Sequence, residues 1–325
     1  MTNRRRALLA VAAIVLVVLG GGTYLAVKFA GTTPGGTPAS AAPTGGLLFV
    51  DMSSGLHQVN QLTKVEDPAA GRSPTDLRCE RVYRSTGRTV CLRLAGIGPS
   101  YEAAVLDATG KVTHTTPVAG IPSRARISHT GEVVSWTTFV TGDSYSVPGG
   151  FSTRTGVMDL RTGEVIDSLE TFTATLEGKE VTAADRNYWG VTVADDNRTF
   201  YATLATAGRT WLVKGDLQTR TAHDVIQNAE CPSLSPDGTR VAFKKRQGRL
   251  GAWVLNVLDL ATGKTIEIPA TQGLDDQPTW LDNNNIAYGA ALRNAKVPSI
   301  YEVPADGSKP PTLLIQDAQS PSPIT

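Results

Sequence analysis

The chain has 325 residues, 41% hydrophobic, 19% charged and 6% aromatic, with 32 Gly and 19 Pro. That apolar content is too high and that charge too low for a disordered chain. The 31 basic and 30 acidic residues leave no global positive field for nucleic acid, and the share of Gly and Pro argues against a helical bundle.

The near-neutral total conceals an asymmetry. Residues 1–46 contain Arg4, Arg5, Arg6 and Lys28 but no acid, so the remainder carries 31 − 4 = 27 basic against 30 acidic residues, a net of −3. Residues 1–6 are expected to be a cytoplasmic tail. Residues 7–27 (ALLAVAAIVLVVLGGGTYLAV) read as a transmembrane signal-anchor. At about 1.5 Å per residue this run spans ~31 Å, the hydrocarbon thickness of a bilayer. The arginines before it place the N-terminus in the cytoplasm and the rest of the chain outside, as a single-pass protein of the cell membrane. The alternative is a cleaved signal peptide and a secreted product, because Ala39-Ser40-Ala41 resembles a small-residue cleavage site. Residues 28–46 are small, Pro-rich, Gly-rich and Thr-rich, and read as a linker with a reach of roughly 25 Å.

From residue 47 the chain repeats itself. One unit is a short β-branched strand, an Asp and a turn ending in Gly: LLFVDMSSG ending at Gly55, AVLDATG at Gly110, GVMDLRTG at Gly163 and NVLDLATG at Gly263. Degraded copies are LVKGDLQTR, with Arg220 at the glycine position, and IYEVPADG ending at Gly307. A second unit falls between them, in ISHTGEVVSW around Gly131 and LSPDGTRVAF around Gly238, with looser versions around Gly87, Asn197 and Asn284. Each unit is strand, polar turn, strand, which is a β-hairpin signature. Two hairpins in a period of roughly 45 to 55 residues describe one four-stranded blade of a β-propeller. A β-sandwich also spaces its strands regularly, but nothing in it requires the same two turns to alternate. The expected fold is therefore all-β: a propeller over residues 47–316, followed by a flexible tail at 317–325. Five full units run from Cys79 to Ile315, and a lone hairpin (Leu47 to Leu62) precedes them. Six blades, one of them reduced, are expected; five blades plus an appended hairpin is the alternative.

The segment Pro232-Ser233-Leu234-Ser235-Pro236-Asp237-Gly238-Thr239-Arg240-Val241-Ala242-Phe243 resembles the repeat of the WD40-like, TolB-like β-propeller family. Pro278-Thr279-Trp280-Leu281-Asp282-Asn283 matches the beginning of that repeat, and Ile127-Ser128-His129-Thr130-Gly131 its turn. The pattern extends over residues 47–316, with the copy at 232–243 close. The resemblance implies a propeller that engages protein partners at the cell envelope. There is no room before it for the α/β domain found in TolB itself.

Few residues point to chemistry. Cys79 and Cys91 flank a predicted hairpin turn. A five-residue loop would set them opposite one another and permit a disulfide; a four-residue loop would leave them one position out of register, which a bulge could correct. Cys231 has no evident mate and reads as a buried apolar residue. The histidines (His57, His114, His129, His223) sit in or after outer turns. Asp195-Asp196-Asn197 and Asp282–Asn285 could offer oxygen ligands to calcium, but each occupies a predicted hairpin turn. Asp275 and Asp276 precede an innermost strand and are expected at the channel mouth. Lys244-Lys245-Arg246 with Arg249 reads as a solvated basic loop. The five tryptophans (Trp136, Trp189, Trp211, Trp253, Trp280) recur almost once per unit and are expected to fill gaps between blades. No catalytic, metal or cofactor-binding set is legible. The expected function is a monomeric protein- or peptide-binding or scaffolding module for an envelope partner. The alternatives are a lactonase-type propeller hydrolase or lyase with a channel metal, and a cell-wall glycan binder.

Overall fold

Whether the hairpins close on one another is answered by a computed structural model, which describes residues 46–63, 72–96, 98–140, 152–248, 251–291 and 295–324. By internal contacts the chain divides after Ala39. Residues 1–39 lie outside the described residues, and with them the cytoplasmic tail, the 7–27 span and most of the linker. Among the described residues no helix is long and apolar enough to cross a membrane.

Among the described residues twenty-six strands form six sheets. Blade II runs outward as Arg81–Ser85, Arg88–Leu94, Tyr101–Leu106 and Val112–Val118. Blade III is Ile121–Ile127, Val133–Val140, Ser152–Asp159 and Val165–Ile166. Blade IV is Asn187–Val193, Thr199–Thr206, Arg209–Asp216 and Thr221–Gln227. Two extra outer strands extend it: Thr173–Leu176, parallel to Thr221–Gln227, and Lys179–Glu180. Blade V is Glu230–Leu234, Arg240–Arg246, Trp253–Asp259 and Thr265–Glu267; blade VI is Thr279–Trp280, Asn285–Ala290, Ser299–Pro304 and Thr312–Ile315. The first strand of each sheet touches the first strands of both neighbours, so the six form a closed ring.

Closure corrects two expectations. Residues 317–325 are not a flexible tail: Ala318–Ile324 is the innermost strand of blade I, paired with Gly46–Asp51. Gln58–Leu62 and Arg72–Arg78 complete that blade, so it is not reduced. The segment AQSPSPI resembles a tail because it is poor in large apolar residues. It is tolerated as a strand because an innermost strand has one free edge, where Pro321 and Pro323 sacrifice no ladder hydrogen bond. Gly46, assigned to the linker by sequence, is buried as the first residue of its strand.

The core is not one cluster but six, each at one interface between blades. Leu48, Val50 and Val59 of blade I meet Val82 and Ala104 of blade II, while Leu47, Phe49 and Leu62 turn the other way onto Ile300 and Leu314 of blade VI. The remaining four clusters fill the II/III, III/IV, IV/V and V/VI interfaces. Alternate residues of one strand thus serve opposite neighbours. That is why the middle strands read as unbroken apolar runs and not as an alternation. Trp136, Trp211 and Trp280 are buried in these clusters. Gly156 lies beneath the first of these rings, where a Cβ would stand 2.5 Å from Trp136.

The two repeated turns have a shared chemistry. In blade V Asp237 Oδ1 accepts from Ser235 Oγ (2.5 Å), Thr239 N (3.0 Å) and Thr239 Oγ1 (2.7 Å). Burial works against its ionisation, but these hydrogen bonds outweigh it and hold the carboxyl at about 2. Asp259 caps the other turn, accepting from Thr262 N (2.8 Å), with Gly263 at φ 69° closing it. Asp196 and Asp282 likewise accept from backbone N–H groups of their own turns.

The blade II turn is shorter than either expected version. Ser85 pairs with Arg88, so only Thr86 and Gly87 form the loop, both at positive φ (47° and 73°), as a two-residue hairpin requires. Cys91 therefore faces Val82. Cys79 precedes the strand, with its N–H bonded to the His57 carbonyl (3.0 Å), and its sulfur is joined to Cys91 across a Cα–Cα distance of 5.4 Å. Cys231 is free and buried. Replacing both Cys79 and Cys91 by Ser is expected to lower the unfolding free energy by about 3 kcal/mol through the lost loop constraint. Chemical denaturation with and without reductant checks this: reductant should shift the wild type to the variant's curve and leave the variant unmoved.

Candidate functional site

The innermost strands and the segment before Thr279 bring together a group of side chains that the sequence does not single out. Ser123-Arg124-Ala125-Arg126 lies on the first strand of blade III, and the alternation of a strand sends both arginines to the axis. They cross it to blade VI, which stands opposite in the ring. Arg124 Nη2 donates to the Asp275 carbonyl (2.6 Å); Arg126 Nη2 donates to the carbonyls of Gln277 (3.1 Å) and Pro278 (2.8 Å). Gln277 Nε2 in turn donates to the carbonyls of Pro232 (2.6 Å) and Val191 (3.3 Å) on blades V and IV. From blade II, Arg81 Nε donates to the Ser123 carbonyl (2.6 Å), and the Tyr83 ring lies 4.4 Å beneath the Arg126 guanidinium. The axis is therefore filled, and the channel is divided into an upper and a lower mouth.

Asp275 and Asp276 separate in role. The Asp275 side chain is 83% exposed at the upper rim, 3.6 Å from Lys244 Nζ. Asp276 turns inward, 3.6 Å from Arg124 Nε, and accepts from the N–H groups of Gln277 (2.8 Å) and Ser320 (3.2 Å). Burial alone would raise its pKa, but the guanidiniums of Arg124, Arg81 and Arg126 overrule this and hold it below the ordinary carboxylate value.

The upper mouth opens into a cavity of about 860 Å³ between blades III, IV and V. Its central feature is Trp253. The indole Nε1 donates to Glu230 Oε1 (2.9 Å), Arg246 stacks 3.8 Å from the ring centroid and Lys244 Nζ stands 4.6 Å from it. Lys244 is not a solvated loop residue but a buried one on Arg240–Arg246, and its Nζ donates to the Asp275 carbonyl (3.1 Å). Arg249 lies outside the described residues. Trp189 lines the same cavity, so two of the five tryptophans meet in one site and do not fill interfaces. Among the described residues the cavity walls carry four cations (Arg124, Arg209, Lys244, Arg246) against two acids (Glu230, Asp275).

Of the histidines, His57 bonds Glu80 (2.7 Å) and His129 stands 3.6 Å from Asp195 at the lower mouth. Among the described residues no group of three His, Cys, Asp or Glu side chains is placed to hold a metal ion.

No family model matches this sequence, and no curated protein does. Solved structures do match. TolB from Acinetobacter baumannii superposes with a TM-score of 0.60 at 15% identity, over 86% of this chain and 66% of that one. The fold is that of a TolB-like six-bladed propeller. A putative TolB from Agrobacterium tumefaciens (TM-score 0.49, 12% identity, 86% of this chain and 92% of that one) is also similar. So is a chain of a nidogen/laminin complex (TM-score 0.50, 12% identity, 84% of this chain and 92% of that one). This chain spans about two thirds of the Acinetobacter TolB.

Because the folded-state pKa of Asp276 is depressed, its ion contributes stability that is fully present above about pH 4 and lost as pH falls through the folded value. Asp276→Asn is expected to cost about 3–5 kcal/mol at neutral pH, since it strands buried guanidiniums without their counter-ion. Denaturation measured as a function of pH should show the gap to wild type closing as pH falls below about 4, the ordinary carboxylate value.

Proposed function

We propose that this chain is a single-pass, membrane-anchored, extracytoplasmic propeller that binds an acidic peptide segment of an envelope protein at its upper mouth. The observation that carries the reading is the charge of the cavity: four cations against two acids, around Trp253, in a domain whose sequence from residue 47 is net −3. Low-dielectric walls lined by one sign of charge concentrate ligands of the other. At about 860 Å³ the cavity exceeds the needs of a single ion and lies high in the range of ligand pockets, roughly 300–1,000 Å³. The rim supplies apolar contact as well: Ile121, 60% exposed, pairs in register with Phe139, which lines the cavity. Gly46, where the linker meets the propeller, stands at the lower face, because its strand pairs with the bottom of Ala318–Ile324.

Selection of peptides from a random library on the full chain in detergent tests this. The winners are expected to be rich in Asp and Glu, to bind more weakly as salt rises, and to lose tenfold or more in affinity with Arg246→Glu. Winners without acidic bias, or indifferent to that substitution, would overturn it. Trp189 and Trp253 in one cavity also suit a sugar ring; retention on cell-wall glycan in place of peptide selects that reading. For the anchor, a reporter fused after Thr325 is expected to be active only outside the cytoplasm, with the fusion sedimenting with membranes.

A further inference from the structure

The lower mouth holds a second cavity of about 330 Å³, on the far side of the arginine-filled axis from the site above. Arg84 and Arg126 both line it. Each has a buried Nε–H with no hydrogen-bond partner. Arg126 spends its Nη groups on the carbonyls of Ala125, Gln277 and Pro278. Arg84 spends nothing: its backbone N–H and carbonyl bond Ser322 Oγ, but among the described residues its guanidinium has neither a hydrogen bond nor a carboxylate partner. Burial pushes its pKa down, and no neighbouring charge offsets this. Among the described residues neither acid that lines the cavity is paired with Arg84 or Arg126. Asp195 is exposed beside His129, and Asp282 accepts the N–H groups of its own turn, Asn284 (2.6 Å) and Asn285 (2.7 Å).

An arginine that is partly desolvated and unpaired is costly, and proteins retain one where a ligand completes it. Two guanidiniums at one site suit an oxyanion, which they can bind with charge-assisted hydrogen bonds. Part of the remaining wall is apolar, from Val193, Leu234, Leu281 and Pro323, with the rings of Tyr83 and Trp280; Ser85, Thr192, Ser233 and Ser235 complete it with hydroxyl groups. A bare inorganic ion would leave those walls empty, and the volume suits one small molecule. We propose that the lower mouth is a separate binding site for a carboxylate carried on an apolar body, held by Arg84 and Arg126. Such a group is found on a free aromatic or aliphatic acid and at the C-terminus of a peptide ending in an apolar residue.

Thermal shift and calorimetry on the full chain in detergent, at constant ionic strength, decide the matter. The probes are phenylacetate, phenylacetamide, inorganic phosphate, and the dipeptide N-acetyl-Ala-Phe with a free or an amidated C-terminus. Phenylacetate or the free-acid dipeptide is expected to bind with a dissociation constant of about 1 mM or tighter, and whichever binds better identifies the source of the carboxylate. Phenylacetamide, the amidated dipeptide and phosphate are expected to bind at least tenfold more weakly. Arg84→Gln should abolish the binding without lowering the melting temperature, since no group of the protein depends on that guanidinium. Arg246→Glu, at the upper mouth, should leave it intact, so failure of the peptide reading above and failure of this one are distinguishable. The proposal is overturned if neither acid binds more tightly than about 10 mM, if phosphate binds as well as the acids, or if Arg84→Gln leaves binding unchanged. It is overturned equally if that substitution destabilises the fold, which would make Arg84 structural.

Discussion

Everything in this molecule depends on each blade being sandwiched between two others. The middle strands have two apolar faces, Leu48 and Val50 on one side of a strand and Leu47 and Phe49 on the other. A blade at the end of an open row would expose one of them. Only a closed ring buries all six interfaces, and closure also removes the exposed sheet edges that invite aggregation. The chain meets this demand by joining its two ends in one blade, with Ala318–Ile324 hydrogen-bonded to Gly46–Asp51. Closure is thus a single long-range pairing between the beginning and end of the domain. The first and last described residues of the domain, Gly46 and Ile324, are accordingly paired with each other.

A ring of six blades leaves an axis, and here the axis is filled by polar groups and not by apolar ones. Arg124 and Arg126 reach across to carbonyls on the opposite blade, and Gln277 reaches back to two others. Hydrogen bonds of charged donors to buried carbonyls are among the stronger ones available to a protein. They require partners at fixed positions, so they set the register of opposed blades as apolar packing alone does not. Asp276 supplies a buried counter-charge among Arg81, Arg124 and Arg126. The same network lies between two cavities of different character, one at each mouth.

How much of this was legible in the sequence differs by element. The blades were legible because each needs the same two reversals, and those reversals are made by Asp and Gly for backbone reasons that leave a repeated spelling: Ser235-Pro236-Asp237-Gly238 and Asp259-Leu260-Ala261-Thr262-Gly263. The closing strand was not. Its residues are selected by one free edge and a close fit against Leu48, which Ser and Pro satisfy as well as any β-branched residue. The site was less legible still. Arg124 and Arg126 are two apart on the strand that precedes the His129-Thr130-Gly131 turn, so their shared direction could have been read. Which blade they reach could not, because Gln277 and Pro278 lie about 150 residues away. Lys244 was misjudged because a run of three cations resembles a solvated loop. On a strand it alternates, with Lys244 buried and Lys245 turned away from it.

Charge, finally, is where composition and structure part company. The sum over residues 47–325 is mildly negative, yet the cations are not spread evenly against it. Seven of the 30 acids are consumed in turns, where Asp51, Asp107, Asp159, Asp196, Asp216, Asp237 and Asp259 each accept from nearby N–H groups. A carboxylate so engaged at the periphery cannot neutralise an arginine at the axis, because its lone pairs are already directed at the backbone and the distance is screened by solvent. Building a propeller from Asp-capped hairpins therefore moves negative charge outward to the turns. At the upper mouth Arg124 of an innermost strand is joined by Arg209, Lys244 and Arg246 of the strands outside it, and these outnumber the acids there, Glu230 and Asp275. The excess of positive charge is thus local to the upper cavity, and an anionic partner would meet it there without any net positive charge on the domain.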